Sequence, residues 1–228
     1  MSDLSISKQS EPGGVGSVNK ERRGELLQKF GALASLFALI IVFATTSQAF
    51  MSMGNGMSVA LQVTSIAFLG LGATAVIITG GIDLSVGSVL ALAGVADALA
   101  IKAGASIPLG ILVGLTVGGI CGAINGLFIT RLKLPPFIAT LGMMLVARGF
   151  ALRLTDAQPV SGLGQGFATL GNGTLFRIES MGDDGFPNVI FPGIPYPVVI
   201  MIVLAVGLWL VLSRTRLGRH IYAVGSNA

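Results

Sequence analysis

Ile78-Thr79-Gly80-Gly81-Ile82-Asp83-Leu84-Ser85-Val86-Gly87-Ser88 breaks a long apolar run, and it does so with a carboxylate. On its N-terminal side, Leu61 to Thr79 carries Gln62, Thr64 and Ser65 but no charge. On its C-terminal side, Leu84 to Ile101 carries no charge except Asp97. Uncharged apolar runs of this length read as membrane spans. The paired glycines Gly80 and Gly81 let the backbone turn sharply between them. Asp83 is then placed to accept backbone N–H bonds around Ser85 and Val86, at the start of the next helix. That is one sufficient reason for the residue. A second stands beside it: a carboxylate with small and hydroxyl neighbours beside a span tends to face a pathway or a partner.

Composition agrees with a chain whose solvent is mostly lipid. Of 228 residues, 53% are hydrophobic and only 11% charged, with a mean hydropathy of +0.85. A soluble domain carries about 25% charge. The one cysteine, Cys121, sits in an apolar run, so an internal disulfide is impossible and a cysteine metal site implausible. The one histidine, His220, excludes a histidine cluster. The net charge of +4 does not point to nucleic acid, because the basic residues collect at the ends of apolar spans.

The expected architecture is an all-α, polytopic transmembrane bundle of about six spans with both termini cytoplasmic. Residues 1–29 form a polar tail, mobile and ending in a short helical turn, with no regular structure before about Val18. Residues 30–213 form the membrane domain, with spans at about 31–50, 59–79, 84–101, 107–130, 137–154 and 196–212. A short outer turn at 51–57 joins the first two. An external segment, 155–195, is too long for a simple turn; it carries a net charge of −3 and suits short helices lying on the mouth. Residues 214–228 return to the cytoplasmic side. On this topology, ten of the fourteen lysines and arginines lie inside, in the tail, at Arg131 and Lys133, and at Arg214, Arg216 and Arg219.

Individual residues stand out against this background. The fourth span repeats glycine at Gly110, Gly114, Gly118, Gly122 and Gly126. In lipid such a stripe lets other backbones approach closely. A spacing of four winds slowly round a helix, which suits a central helix packed by several neighbours. Asn125 is the one polar side chain among them that can bond across helices. Asp97, near the outer end of the third span, either reaches water or serves the pathway. Arg148 lies inside the fifth span and needs a partner: a carboxylate such as Asp83 or Asp97, carbonyl groups, or solute. Arg153 can snorkel to the outer interface. No catalytic constellation, metal site or phosphate loop is present, so no cofactor is expected on this chain.

Three stretches, in order, resemble the permease subunits of bacterial ABC importers for ribose, xylose and related sugars. They are Gly80 to Ser88; Leu134-Pro135-Pro136-Phe137-Ile138-Ala139-Thr140-Leu141-Gly142-Met143-Met144, running on through Arg148-Gly149 to Gln158-Pro159-Val160-Ser161; and Arg214 to Asn227. The resemblance covers roughly Ala60 to Ala228. It implies a multi-pass protein of the bacterial inner membrane that imports a monosaccharide by alternating access. It also implies partners: a cytoplasmic ABC ATPase that uses the ATP, an external sugar-binding protein, and a second permease chain, as a homodimer in the family's manner. On this reading Asp83, Asn125, Arg148 and Gln158 are the candidate residues near the pathway. Arg216, Gly218, Arg219, Tyr222 and Gly225 match the segment that docks on the ATPase. Without the resemblance, that basic segment reads equally as an anchor on anionic lipid. Members of the family continue past this segment with more spans, so the sequence also leads us to expect a truncated product or a split permease. Two other readings follow: a non-transporting remnant that still binds partners, and a facilitator channel working alone.

Overall fold

A computed structural model describes residues 15–181 and 187–226, with side chains from residue 30 onward. Eight helices are described: α1 (Val15–Thr46), α2 (Met53–Ile78), α3 (Val86–Lys102), α4 (Ile107–Thr130), α5 (Pro136–Leu154), α6 (Gly164–Asn172), α7 (Tyr196–Arg214) and α8 (Arg216–Gly225). Four short strands lie between α6 and α7: β1 (Thr174–Leu175), β2 (Ile178–Met181), β3 (Pro187–Phe191) and β4 (Ile194–Pro195). They pair antiparallel as β1 with β4 and β2 with β3. Among the described residues, α2, α4, α5 and α7 are long and apolar enough to cross a membrane. The protein is an all-α, polytopic membrane protein.

The chain divides into two units, residues 1–55 and 56–228. In the first, α1 ends at Thr46, short of the expected Phe50. It also begins at Val15, so the expected short helical turn is a continuous helix; residues 1–14 of the tail lie outside the described residues. The turn expected at 51–57 falls earlier, at 47–52, because Ser52 starts α2. Its hydroxyl accepts the Asn55 N–H at 3.2 Å, a helix cap that the uncharged sequence around it concealed. Asn55 Nδ2 donates back to the Phe50 carbonyl at 2.9 Å.

The second unit is built round α3, which packs on both α4 and α5. Its core is small: Leu92, Cys121, Met143, Ala147 and Ala151, with Ala147 fully buried. Close approach of α3 and α4 depends on two of the five stripe glycines. A Cβ at Gly110 would meet Asp97 Oδ1 and Ile101, and one at Gly114 would meet the Ala93 carbonyl at 3.0 Å. Gly118, Gly122 and Gly126 have open space in front of them, so the expected packing stripe divides into a contact half and an open half. Asp97 is half-buried. Its Oδ1 is buried in the α3–α4 contact without a hydrogen-bond partner.

The described residues of the segment 155–195 hold one short helix and the two strand pairs, where short helices were expected. Positive φ at Phe176 (60°) and Gly193 (81°) sets the corners next to β1 and β4. Neither residue type at Phe176 nor any period-two alternation announces this in the sequence.

Candidate functional site

The turn between α2 and α3 is closed by Gly80 at φ 77°, with the Gly80 N–H donating to the Ile77 carbonyl at 2.9 Å. It delivers Asp83 to the foot of α3. Asp83 is not the helix cap itself. Ser85 holds the N-cap position in a helical backbone conformation (φ −85°, ψ −14°), and no side chain caps the first turn of α3. Asp83 instead gathers Ser85: its Oδ1 accepts the Ser85 N–H at 2.7 Å and the Ser85 hydroxyl at 2.6 Å. The Val86 N–H is not taken.

From the other side, Asn125 on α4 donates through Nδ2 to Ser85 Oγ at 3.1 Å. The result is a chain of donors, Asn125 to Ser85 to Asp83, in which each bond orients the next. Its direction is fixed by the carboxylate, which only accepts when ionised. Ser85 and Asn125 are buried, at 1% and 6% exposure, and Asp83 is half-buried. Two acceptors are left over. Asn125 Oδ1 is buried without a partner, and both bonds to Asp83 fall on Oδ1, leaving Oδ2 free. Thr140 on α5 ties the same turn down: its hydroxyl bonds the Pro136 carbonyl at 2.8 Å and lies 3.3 Å from the Ile82 carbonyl.

Two cavities meet at this chain. One, of about 430 Å³, runs along the middle of α2, α3 and α4 and is lined by Phe68, Gly72, Val89 and Gly118 among others. The second, of about 590 Å³, lies towards the α2–α3 turn and is lined by Thr79, Gly80, Gly126, Thr140 and Val224 among others. Asp83, Gly122 and Asn125 line both. Among the described residues, Asp83 is the only charged side chain in either lining.

Asp83 and Asn125 are thus brought together, while the other two suggested pathway residues lie elsewhere. Gln158 is exposed and lines a separate cavity of about 350 Å³ with Ala91, Gly94 and Ala98. That cavity lies along the middle and second half of α3, about 9 to 20 Å along the helix from Ser85. Arg148 is exposed on α5, and the pairing with Asp83 or Asp97 is not made. The ion pairs among the described residues are Arg153–Asp156 at 3.2 Å and Arg177–Glu179 at 2.6 Å, so Arg153 too meets a carboxylate. Ser85 and Thr140 were missed by sequence reasoning. Ser85 had a signal, a hydroxyl two residues after an aspartate; Thr140 was visible only as the polar residue among Ile138, Ala139 and Leu141.

The basic segment forms α8. Thr215 caps it, accepting the Gly218 N–H at 3.2 Å. At about 100° per residue, Gly218, Ile221 and Gly225 share one face, and Arg216, Arg219 and His220 the opposite one. The first face is turned inward. A Cβ at Gly218 would collide with the carbonyls of Val211 and Leu212 at the end of α7, and one at Gly225 with the Ile78 carbonyl at the end of α2. Gly218 and Gly225 therefore serve this chain's own packing, and Arg216, Arg219 and Tyr222 are the exposed members of the expected docking set.

Among curated proteins, the chain is 39% identical over 204 residues to the ribose import permease protein RbsC of Bacillus subtilis strain 168, covering 89% of this chain and 58% of that protein. It is 36% identical over 196 residues to the ribose import permease protein RbsC of Escherichia coli K12, covering 86% and 57%. It is 34% identical over 201 residues to the D-allose transport system permease protein AlsC of the same strain, covering 87% and 57%. The chain thus spans less than two thirds of the length of these relatives. No solved structure matches it. Residues 55–228, which contain α3, the Asn125–Ser85–Asp83 chain and α8, match one family throughout. The chain belongs to the family of branched-chain amino acid transport system permease components.

Proposed function

We propose that this chain is the membrane-spanning subunit of an ATP-driven importer of the bacterial inner membrane, and that its solute is a ribose-like monosaccharide. The observation that carries the reading is the similarity to ribose import permeases, which runs through 86% or more of the chain, while the family match over residues 55–228 includes both the cavity-lining turn and α8. The family description names branched-chain amino acids, but the sugar-permease relatives fit the cavities better, since these contain no cation to hold a carboxylate. No phosphate loop is present in the sequence, so ATP is bound by a partner ATPase, for which the outward face of α8 with Arg216, Arg219 and Tyr222 is the dock. An external binding protein and a second permease chain complete the assembly. This reading takes six spans with both termini inside, which puts α8 on the ATPase side.

The test is uptake of radiolabelled ribose and of leucine by cells that carry or lack this chain, with the rest of the transporter intact. Chain-dependent, ATP-dependent ribose uptake is expected, and Arg219→Ala should reduce it about tenfold, as loss of a charged contact at an interface does. Leucine uptake in its place would overturn the sugar. Ribose uptake that survives Arg219→Ala and ATP depletion would make the chain a channel.

A further inference from the structure

Between α5 and α6 the chain runs beside the second half of α3 and is held there by side chains. Val160, Leu163 and Phe167 are half-buried and share a cleft of about 350 Å³ with Gly94 and Ala98 of α3. Residues 159–163 make no hydrogen bond among the described residues. The turn from α3 to α4 is tied by three, donated by the Ala103, Gly104 and Ala105 N–H groups. A segment without hydrogen bonds and with few buried contacts opens at low cost.

Both ends of this segment lie in left-handed backbone. Asp156 (φ 49°) and Ala157 (φ 57°) stand at one end, Gly162 (φ 80°) and Gly164 (φ 81°) at the other. The glycines adopt it freely. Asp156 has a local reason: it ends α5 in a cap, in which the Ala157 N–H donates to the Leu152 carbonyl at 2.8 Å. That cap uses the N–H of Ala157 and not its left-handed backbone, which strains an alanine. The turn at Ala157 sends the chain back along α3, where Gln158 and Val160 line the cleft.

We propose that residues 157–163 are a strap poised to lift: closed over Ala98 in this structure, strained at Ala157, and able to open about Ala157 and Gly162 while α3, α4 and α5 stay packed. Ala98 lines the cleft and is only 7% exposed. Lifting relieves Ala157 and uncovers Ala98. Gln158, whose side-chain amide has no partner among the described residues, moves with the strap and not with a membrane helix. That the strap faces the outside rests on the importer reading above; the strap itself does not.

The experiment follows maleimide labelling of single cysteines in the full chain in detergent. Ala98→Cys, combined with Cys121→Ala, reports the strap. The natural Cys121, 7% exposed, reports the core in the unmodified chain. Where closing is fast, the labelling rate follows the open fraction. Ala98→Cys should label slowly. Ala157→Gly removes strain from the closed form and should slow labelling further, about fivefold. Gly162→Ala adds strain there and should speed labelling about fivefold. No atom lies within 4 Å of a Cβ at Gly162, so its effect comes from the backbone alone. Neither substitution should change labelling of Cys121. Ala157→Gly stabilises the closed form, so the test stands even if Gly162→Ala fails to fold. Changes in one direction for both, or no change with Ala157→Gly, would overturn the strap. So would a parallel change at Cys121, because opening would then pass through loss of the core. In whole cells, an impermeant maleimide should reach Ala98→Cys from outside. Labelling from the cytoplasmic face alone, with the opposed effects of the two hinge substitutions intact, would sink the importer orientation and leave the strap standing.

Discussion

At the scale of single residues, glycine carries two opposite meanings along one helix. A Cβ at Gly114 would stand 3.0 Å from the Ala93 carbonyl oxygen, and Gly118, one turn on, faces a cavity. Alanine at 114 must push two helices apart, and overpacking of this kind costs about 1–3 kcal/mol. Alanine at 118 meets nothing and gains helix propensity, worth up to about 1 kcal/mol. Gly114→Ala should therefore lower the thermal unfolding midpoint of the purified chain in detergent, and Gly118→Ala should leave or raise it. Equal losses at both sites would mean that α4 is packed along its whole length. The spacing of four made the stripe easy to see, but spacing alone cannot say where a neighbour lies. That depends on the direction each glycine faces: α3 runs beside α4 as far as Asn125, but the stripe winds away from it after Gly114. Asp83 and Asn125 were legible for the reverse reason: a polar side chain in an apolar run must find a partner, and these two find one through Ser85. Arg148 was singled out by the same logic, and its side chain is instead on an exposed face of α5.

At the scale of elements, the bounds of α4 coincide with the run from Ile107 to Thr130 because turn residues stand on both sides of it. The start of α2 was hidden, since a serine cap inside an uncharged stretch changes no hydropathy. The strands at 174–195 were hidden because they are two to five residues long and their partners are set by the turns between them. In α8 the sequence showed an amphipathic basic helix but not which glycines faced inward. The collision that a Cβ at Gly225 would make with the Ile78 carbonyl now gives that side a measurable consequence. Gly225→Ala should destabilise the chain by about 1–3 kcal/mol and expose the end of α2, so that Thr79→Cys labels faster. Ala223→Ser, on the exposed side, should do neither. If Gly225→Ala leaves Thr79→Cys labelling unchanged, α8 does not rest on α2.

At the scale of the whole molecule, the question is how many helices cross the membrane. α3 has 17 residues, about 26 Å of helix against a hydrocarbon core of about 30 Å. Length alone leaves it at the short limit of a span, and its neighbours decide. α3 packs on α4 and α5, both long and apolar enough to cross. Residues 103–106 are all that join it to α4, so the two must run in opposite directions. If α4 crosses, Ala105 lies on the outer side. Leu84, at the other end of α3, then lies on the inner side with Leu132 and the arginines of α8. Single cysteines in the Cys121→Ala chain make this decisive. Leu84→Cys and Leu132→Cys should label with an impermeant maleimide from the cytoplasmic face, and Ala105→Cys and Gln158→Cys from the outer face. Labelling of Ala105→Cys from the cytoplasmic face, alongside Leu84→Cys, would make α3 a re-entrant element. The Asn125–Ser85–Asp83 chain would then lie beside a helix that enters and leaves on one side, and the two cavities could not form a path across the membrane.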